Sequence, residues 1–298
     1  MSLVQGAAGP EQPQAPCRLF VYLAREAPIG VVLRRGPSAW ARLSVWHTDT
    51  DSFEHGQWFK GRVYERRSDV SADGSLFVYF AFQAGGRVPS TEAADSWIAI
   101  SRPPWFTALA LWFVGGTYCT GGFFPDRCSL FPGWVGAPSQ GRLPPWLAVT
   151  SHIPYVDRTN NWTDRTVAIN RLLRDGWTPV PHTPAEMYET WERRHPREPL
   201  KLVMTEMHTG FAFHPYGGPY IVEYAVRAEH QGAVIPLGQA TWADWDQQGR
   251  LVIAQQGRLL HWQPTGTPRE LADFNPQTPA PAPSPPRART WPRPPRAR

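Results

Sequence analysis

The densest cluster of charged and aromatic residues in this sequence is Trp58, Lys60, Arg62, Tyr64, Glu65, Arg66, Arg67 and Asp69. On an extended chain, alternation puts Trp58, Lys60, Arg62, Tyr64 and Arg66 on one face, where cations beside aromatic rings suit an anionic or sugar-like ligand. The structural alternative is that Arg66 or Arg67 pairs with Glu65 or Asp69 and holds neighbouring sheets together. A second cluster lies in the stretch Ser151 to Asp164 (SHIPYVDRTNNWTD), which reads as a loop and carries His152, Asp157, Arg158, Asn160, Asn161 and Asp164. His152 and Asp157 are the pair there with acid–base capacity, although Asn and Asp serve equally as turn residues. A third grouping is Glu206 and His208, which share a face if extended, with His214 beyond them and His182 and His195 upstream. Two histidines and a carboxylate are a metal donor set, but nothing in the spacing brings His214 to the others, and no metal or other cofactor is assigned. Cys119 and Cys128 are weaker candidates still. Nucleophile elbows, zinc-protease helices, phosphate-binding loops and dinucleotide fingerprints are all missing.

Composition narrows what the elements around these residues can be. The chain has 298 residues, 42% hydrophobic, with 15 Trp, 14 Phe and 9 Tyr, which is ample material for a core. The 3 cysteines, without paired spacing, exclude a disulfide framework and fit a reducing compartment. A net charge of +5 comes from the end of the chain: residues 275–298 hold Arg287, Arg289, Arg293, Arg296 and Arg298 and no acid. The body is neutral, so bulk attraction to nucleic acid is not expected of it. Met1 to Pro16 lacks the basic start and apolar run of a secretory signal, which points to a cytoplasmic protein. Residues 103–125 are free of charge, yet two prolines and the pairs Gly115-Gly116 and Gly121-Gly122 leave too short an apolar run for a membrane helix. A buried strand followed by a glycine-rich loop is the expectation there.

Short apolar runs with period-two alternation dominate the body. Strands are predicted at Arg18–Leu23, Ile29–Leu33, Trp40–Trp46, Leu76–Phe82, Trp97–Ile100, Leu200–Met204, Tyr220–Val226, Leu251–Ala254 and Leu259–Trp262. Tight-turn signals stand beside them at Asp73-Gly74, Asp175-Gly176, Gly249 and Gly257. One helix is expected at Thr183 to Arg194, where Thr183, Pro184 and Glu186 form a helix start. Thr166 to Arg174 reads as helix or strand, and the Asp-Gly after it favours the strand.

Two segments align with each other: Ser68 to Tyr79 (SDVSADGSLFVY) and Ala243 to Ala254 (ADWDQQGRLVIA), matching Asp69 with Asp244, Gly74 with Gly249 and Leu76 with Leu251. In each, the Asp is expected to hydrogen-bond the approach to a turn whose Gly supplies the φ angle. The first copy resembles the turn and apolar strand of WD40-like repeats in bacterial β-propeller proteins; the second has Gln248 where the turn Asp belongs. Gly56 to Arg67 (GQWFKGRVYERR) is similar to a family of uncharacterised bacterial proteins, a resemblance that spans residues 17 to 263 and carries no established activity. It implies an all-β, irregular β-propeller-like stack of antiparallel sheets, five or six blades at 40 to 45 residues each, with one or two short helices. A β-sandwich is the alternative.

The resulting organisation is a disordered arm (1–14), a β-propeller-like domain (15–264) and a disordered Pro/Arg-rich tail (265–298). With no catalytic motif, the sequence favours a non-enzymatic scaffold presenting loops to a protein partner, with no membrane and no nucleic acid involved. The alternative is a hydrolase or lyase acting on a small or carbohydrate-like substrate in a loop-lined pocket. Candidate ligand-binding residues under either reading are Trp58, Lys60, Arg62, Tyr64, Arg66, His152 and Asp157.

Overall fold

A computed structural model describes residues 15–36, 39–83, 95–117, 119–134, 136–151, 154, 165–181, 188–208, 220–229 and 232–294. The protein is all-β apart from one helix, and its sheets are up-and-down meanders taken in sequence. The first contains β1 (Arg18–Leu23), β2 (Ile29–Arg35), β3 (Trp40–His47) and β4 (Ser52–Lys60) in that spatial order. The second is built on β5 (Arg62–Val63), β6 (Asp69–Val70), β7 (Phe77–Phe82), β8 (Ser96–Ser101) and β9 (Ala108–Phe113). Next come β10 (Ser129–Leu130), β11 (Gln140–Gly141), which adds to β9, and β12 (Ala148–Val149), which pairs with β10 in parallel. Helix α1 (Arg165–Arg174) precedes a third large sheet of β13 (Thr178–Val180), β14 (Tyr188–Arg194), β15 (Leu200–His208), β16 (Tyr220–Ala228) and β17 (Val234–Gln239). The last sheet is β18 (Trp242–Trp245), β19 (Leu251–Gln255), β20 (Arg258–His261) and β21 (Arg269–Asp273). Each of the nine strands expected from alternation is present. The uncharged stretch from 103 supplies β9 and a loop, and no helix among the described residues is long and apolar enough to cross a membrane.

The cores show how the sheets stack. Val31, Leu33 and Leu43 of the first sheet pack on Phe77, Tyr79 and Ala99 of the second. The second sheet's other face, with Phe80, Ile98 and Trp112, meets Cys119, Phe124, Leu130 and Leu147. Phe123 and Phe131 continue to Val167 of α1, and α1 in turn joins Trp191, Leu202 and Tyr224 of the third sheet, which pack on Trp245 and Ile253 of the last. Val252, Leu259 and Phe274 then return to Leu19, Val32 and Trp46 of the first sheet. The stack thereby closes on itself, the propeller-like arrangement, with the N-terminal and C-terminal sheets as neighbours.

Turn chemistry accounts for the repeated segment in a different way from that expected. In the first copy Asp73 Oδ1 accepts from Ser75 N at 3.0 Å and Ser71 Oγ at 2.7 Å. In the second, Asp246 takes over, accepting from Gln248 N at 2.9 Å and Arg250 N at 2.8 Å, which compensates for Gln248. Gly74 and Gly249 both sit at positive φ, as the turn requires. Asp69 and Asp244 do not hold the turns; both are buried and turned elsewhere.

Three local expectations are corrected. Residues 188–194 of the expected helix form β14, because pairing with β15 along its whole length and burial of Trp191 override the local helix start; residues 182–187 lie outside the described residues. Thr166 to Arg174 is helix, since Val167, Ile169, Leu172 and Leu173 lie at helical spacing toward apolar cores. The Asp-Gly after it is a Schellman cap and not a hairpin turn: Gly176 N donates to Leu173 O at 3.2 Å and Trp177 N to Leu172 O at 2.9 Å, with Gly176 at φ 88°. The tail, finally, is docked through residue 294. After β21 and the fully buried Phe274, the chain is held by Arg34, whose Nε donates to Phe274 O at 2.9 Å. Further on, Arg287 lies 4.4 Å from the Trp105 ring and pairs with Glu54, and Trp291 meets Trp146 edge-on. The aromatic surface a Pro/Arg segment can use is the protein's own.

That docking has a measurable consequence. Ending the chain at Gln263 removes β21 and Phe274 and uncovers Val252 and Leu259; loss of the Phe alone costs about 3–5 kcal/mol. The expected outcome is a clearly lowered unfolding midpoint in urea or on heating relative to the full chain, whereas an independent tail predicts no change.

Candidate functional site

At the centre of the stack is a cavity of about 680 Å³ walled by β1, the turn at Glu65–Arg67, β6, α1, β14 to β16 and β18. β1 and β18 each begin a sheet and run beside the cavity, and β6 does so where it pairs with β7 at the side of the second sheet. The third sheet instead turns a face to the cavity: Met204 and Glu206 on β15, and Tyr220, Val222 and Tyr224 on β16, are alternate residues whose cross-strand partners coincide (Met204 with Tyr224, Glu206 with Val222). The result is a wall that is part aromatic, with Tyr22, Trp177, Tyr220, Tyr224, Trp242 and Trp245, and part charged.

The charges are organised as pairs that cross between elements. Arg66 donates from both terminal nitrogens to Glu206, 140 residues away, at 2.6 and 2.8 Å, and its guanidinium lies 3.9 Å from the Tyr220 ring. Asp69, 0% exposed, accepts two hydrogen bonds from Arg174 of α1 and one from Phe124 N at 2.9 Å. Arg174 also holds Asp175, at 2.8 and 3.0 Å. Burial works against its charge, but Asp69 and Asp175 outweigh that and keep it above the usual guanidinium range. Asp244 pairs with Arg193 of β14 and accepts from Trp245 N at 2.8 Å. Its pKa is nonetheless raised: burial dominates, and Asp175 adds repulsion. The aligned Asp69 and Asp244 are thus two of the cavity's three buried aspartates, with Asp246 the third, a role their positions before the turns did not reveal. Tyr224 stands within electrostatic reach of both Asp244 and Glu206, and burial pushes its hydroxyl well above the ordinary value.

The residues singled out from sequence are distributed as follows. The continuous strand that would align Trp58 through Arg66 is broken at Gly61, where a side chain would strike the Phe59 ring and Phe82 O; β4 belongs to the first sheet and β5 to the second. Trp58 is buried, with Arg34 and Arg42 5.0 and 5.2 Å from its ring. Lys60 is exposed at the end of β4, and Arg62 covers Tyr64, which packs on Phe80. Of Trp58, Lys60, Arg62, Tyr64 and Arg66, Arg66 alone lines the cavity, joined there by Glu65 and Asp69 of the same cluster. Its partner is Glu206 and not a neighbour in sequence, while Glu65 pairs with Arg35. His152 and Asp157 lie outside the described residues, as do His182 and His214 and most of the loop around them. His195 is structural: its Nδ1 accepts from Arg197 N and Glu198 N at 3.0 and 2.7 Å, so Nε2 carries the proton and donates to Gly249 O at 2.8 Å. No cluster of metal-ligating side chains occurs among the described residues. The buried thiols of Cys17 and Cys119 are pushed up to about 11 by burial and are inert packing groups, whereas Cys128 is exposed.

Exposed apolar side chains among the described residues are Trp134, Val149, Tyr188, Met207, Val234 and Ile235. Tyr188 and Met207 face each other across β14 and β15, but Val234 is in register with Arg227 and so with Lys201, near the opposite end of β15. They do not make one patch.

No family model matches the chain, and no curated protein matches it. Among solved structures it is similar to the GH43 protein BlXynB from Bacillus licheniformis, at 11% identity and a TM-score of 0.29, covering 90% of this chain and 59% of that one. A mutant of the same protein gives 11% identity and a TM-score of 0.33, with 90% and 56% covered. The chain spans less than two thirds of the length of these proteins, and at such scores no residue of theirs is carried over.

The pair at the centre of the wall is testable by itself. Replacing Arg174 with Met strands the buried Asp69 and is expected to cost about 3–5 kcal/mol. Adding Asp69→Asn should recover a substantial part of that loss in urea unfolding, a coupling that independent sites would not show.

Proposed function

We propose that the central cavity is the active site of a hydrolase or lyase acting on a small, carbohydrate-like substrate. The carrying observation is that two carboxyl groups from different sheets, Asp244 and Glu206, line the cavity within electrostatic reach of the same Tyr224 hydroxyl. Asp244 is pushed by burial toward the protonated form, which suits a proton donor. Glu206 is clasped at both oxygens by Arg66, the arrangement of a fixed negative charge. Tyr220 and the tryptophans of the wall supply flat apolar surface against which a sugar ring stacks.

The scaffold reading, a body presenting loops to a protein partner, draws support from one feature: Glu206 and Asp244 are each matched by an arginine, as charges that only hold sheets together also are. The two readings differ in what Asp244 does for turnover.

A panel of disaccharides, assayed by release of reducing ends, decides between them. As a donor Asp244 must be protonated, so activity should persist above the ordinary carboxylate range and decline once the pH exceeds the raised value at Asp244. Asp244→Asn is expected to lower kcat about 10²–10⁴-fold with little change in KM and to remove that alkaline decline. Full-length protein inert on the whole panel, or an Asn variant as active as the parent, would overturn the enzymatic reading.

A further inference from the structure

The charge pairs of the cavity do not cancel. Arg66 is matched by Glu206, Arg193 by Asp244, and Arg174 by Asp69 and Asp175. Glu65 and Asp246 are matched by Arg35 and Arg250, which lie outside the wall. Of the four other lining arginines, Arg194 pairs with Glu229 and Arg18 lies in the field of Glu65, which leaves Arg171 and Arg25. Arg171 donates to two neutral carbonyls, Glu65 O at 3.3 Å and Ser68 O at 2.5 Å, and rests 4.9 Å from the Tyr22 ring, with no carboxylate among its described partners. Arg25 has a long ion pair with Asp175, at 3.9 Å, and its buried Nη1 makes no hydrogen bond among the described residues. Asp175 is already engaged by Arg174. Helix geometry puts Arg171 and Arg174, three residues apart, on one side of α1, and Arg174 is the main like charge acting on Arg25.

Around α1, then, three guanidinium groups stand against two carboxylates in a partly buried space. Burial depresses the pKa of Arg25, with Arg174 adding to the effect, the direction of an incompletely compensated cation. A neutral ligand would leave that charge unmatched, whereas an anion would supply both the counter-charge and the acceptor that Arg25 Nη1 lacks.

We infer that the cavity takes an anionic ligand, one bearing a carboxylate or phosphate group, and that Arg25 and Arg171 at the α1 side bind that group. This deepens the proposed active site, since it assigns the class of molecule that enters it, and it places the anion at the α1 side of the cavity.

Calorimetric titration of the full-length protein with glucuronate, inorganic phosphate and glucose tests this. The expected result is that glucuronate or phosphate binds at least tenfold tighter than glucose, and which of the two is preferred tells a sugar acid from a phosphate ester. Arg171→Gln should weaken anion binding tenfold or more and leave glucose affinity unchanged. Arg25→Gln should act in the same direction, and because Nη1 has no hydrogen bond to lose, it serves should the Arg171 variant fail to fold. Binding of the anions no tighter than glucose, or anion affinity unchanged in the folded variants, would overturn the inference. Glucose binding without anion preference would leave the cavity standing as a sugar site, so the two readings fail separately.

Discussion

The Arg174 guanidinium is the junction on which the arrangement of sheets depends. It reaches Asp69 at the start of β6, Asp175 at the end of its own helix, Phe124 O in the segment that covers the second sheet, and the face of the Phe123 ring. A buried carboxylate and a buried guanidinium are each unfavourable alone, and only their mutual alignment makes the site tolerable. That requirement fixes α1 against the second sheet in one orientation. Arg171, one turn earlier, is thereby delivered to the carbonyls of Glu65 and Ser68. The helix packs between the apolar cores of the second and third sheets and presents Arg171 and Arg174 to the cavity.

Much of the sheet architecture could be read from the sequence because alternation is a local signal. Runs such as Phe77 to Phe82 and Leu251 to Gln255 are buried on both faces, and no other element suits them. The exceptions are of two kinds. Thr183 to Arg194 and Thr166 to Arg174 are decided by remote partners that local signals do not carry: β15 for the first, and apolar cores on two sides of α1 for the second. Composition alone does not reveal the docked tail, since proline density excludes a sheet interior but not docking along aromatic side chains such as Trp105.

The cavity was less accessible still. Arg66 and Glu206 stand in separate clusters of the sequence, and nothing local joins residues 140 positions apart. The internal alignment held the strongest clue. It equated Asp69 with Asp244, and a carboxylate kept at the same place in two turns of different chemistry needs a reason outside the turn. Each lies in a strand that borders the central space, and each is met there by an arginine from another element. Residues of the β-turns themselves, Asp73 and Asp246, have the conventional work.

Closure of the stack between its first and last sheets also constrains how the chain reaches this structure. Leu19 and Val32, near the beginning, bury themselves against Leu259 and Phe274. Until residues as late as Phe274 have been synthesised, that face of the first sheet has no cover, although β1 to β4 can already pair among themselves. Contacts spanning some 240 residues, such as Arg34 to Phe274 O, form at a large loop-closure cost and therefore late. A nascent chain must carry an exposed apolar surface through most of its synthesis, and the final sheet is the step that covers it.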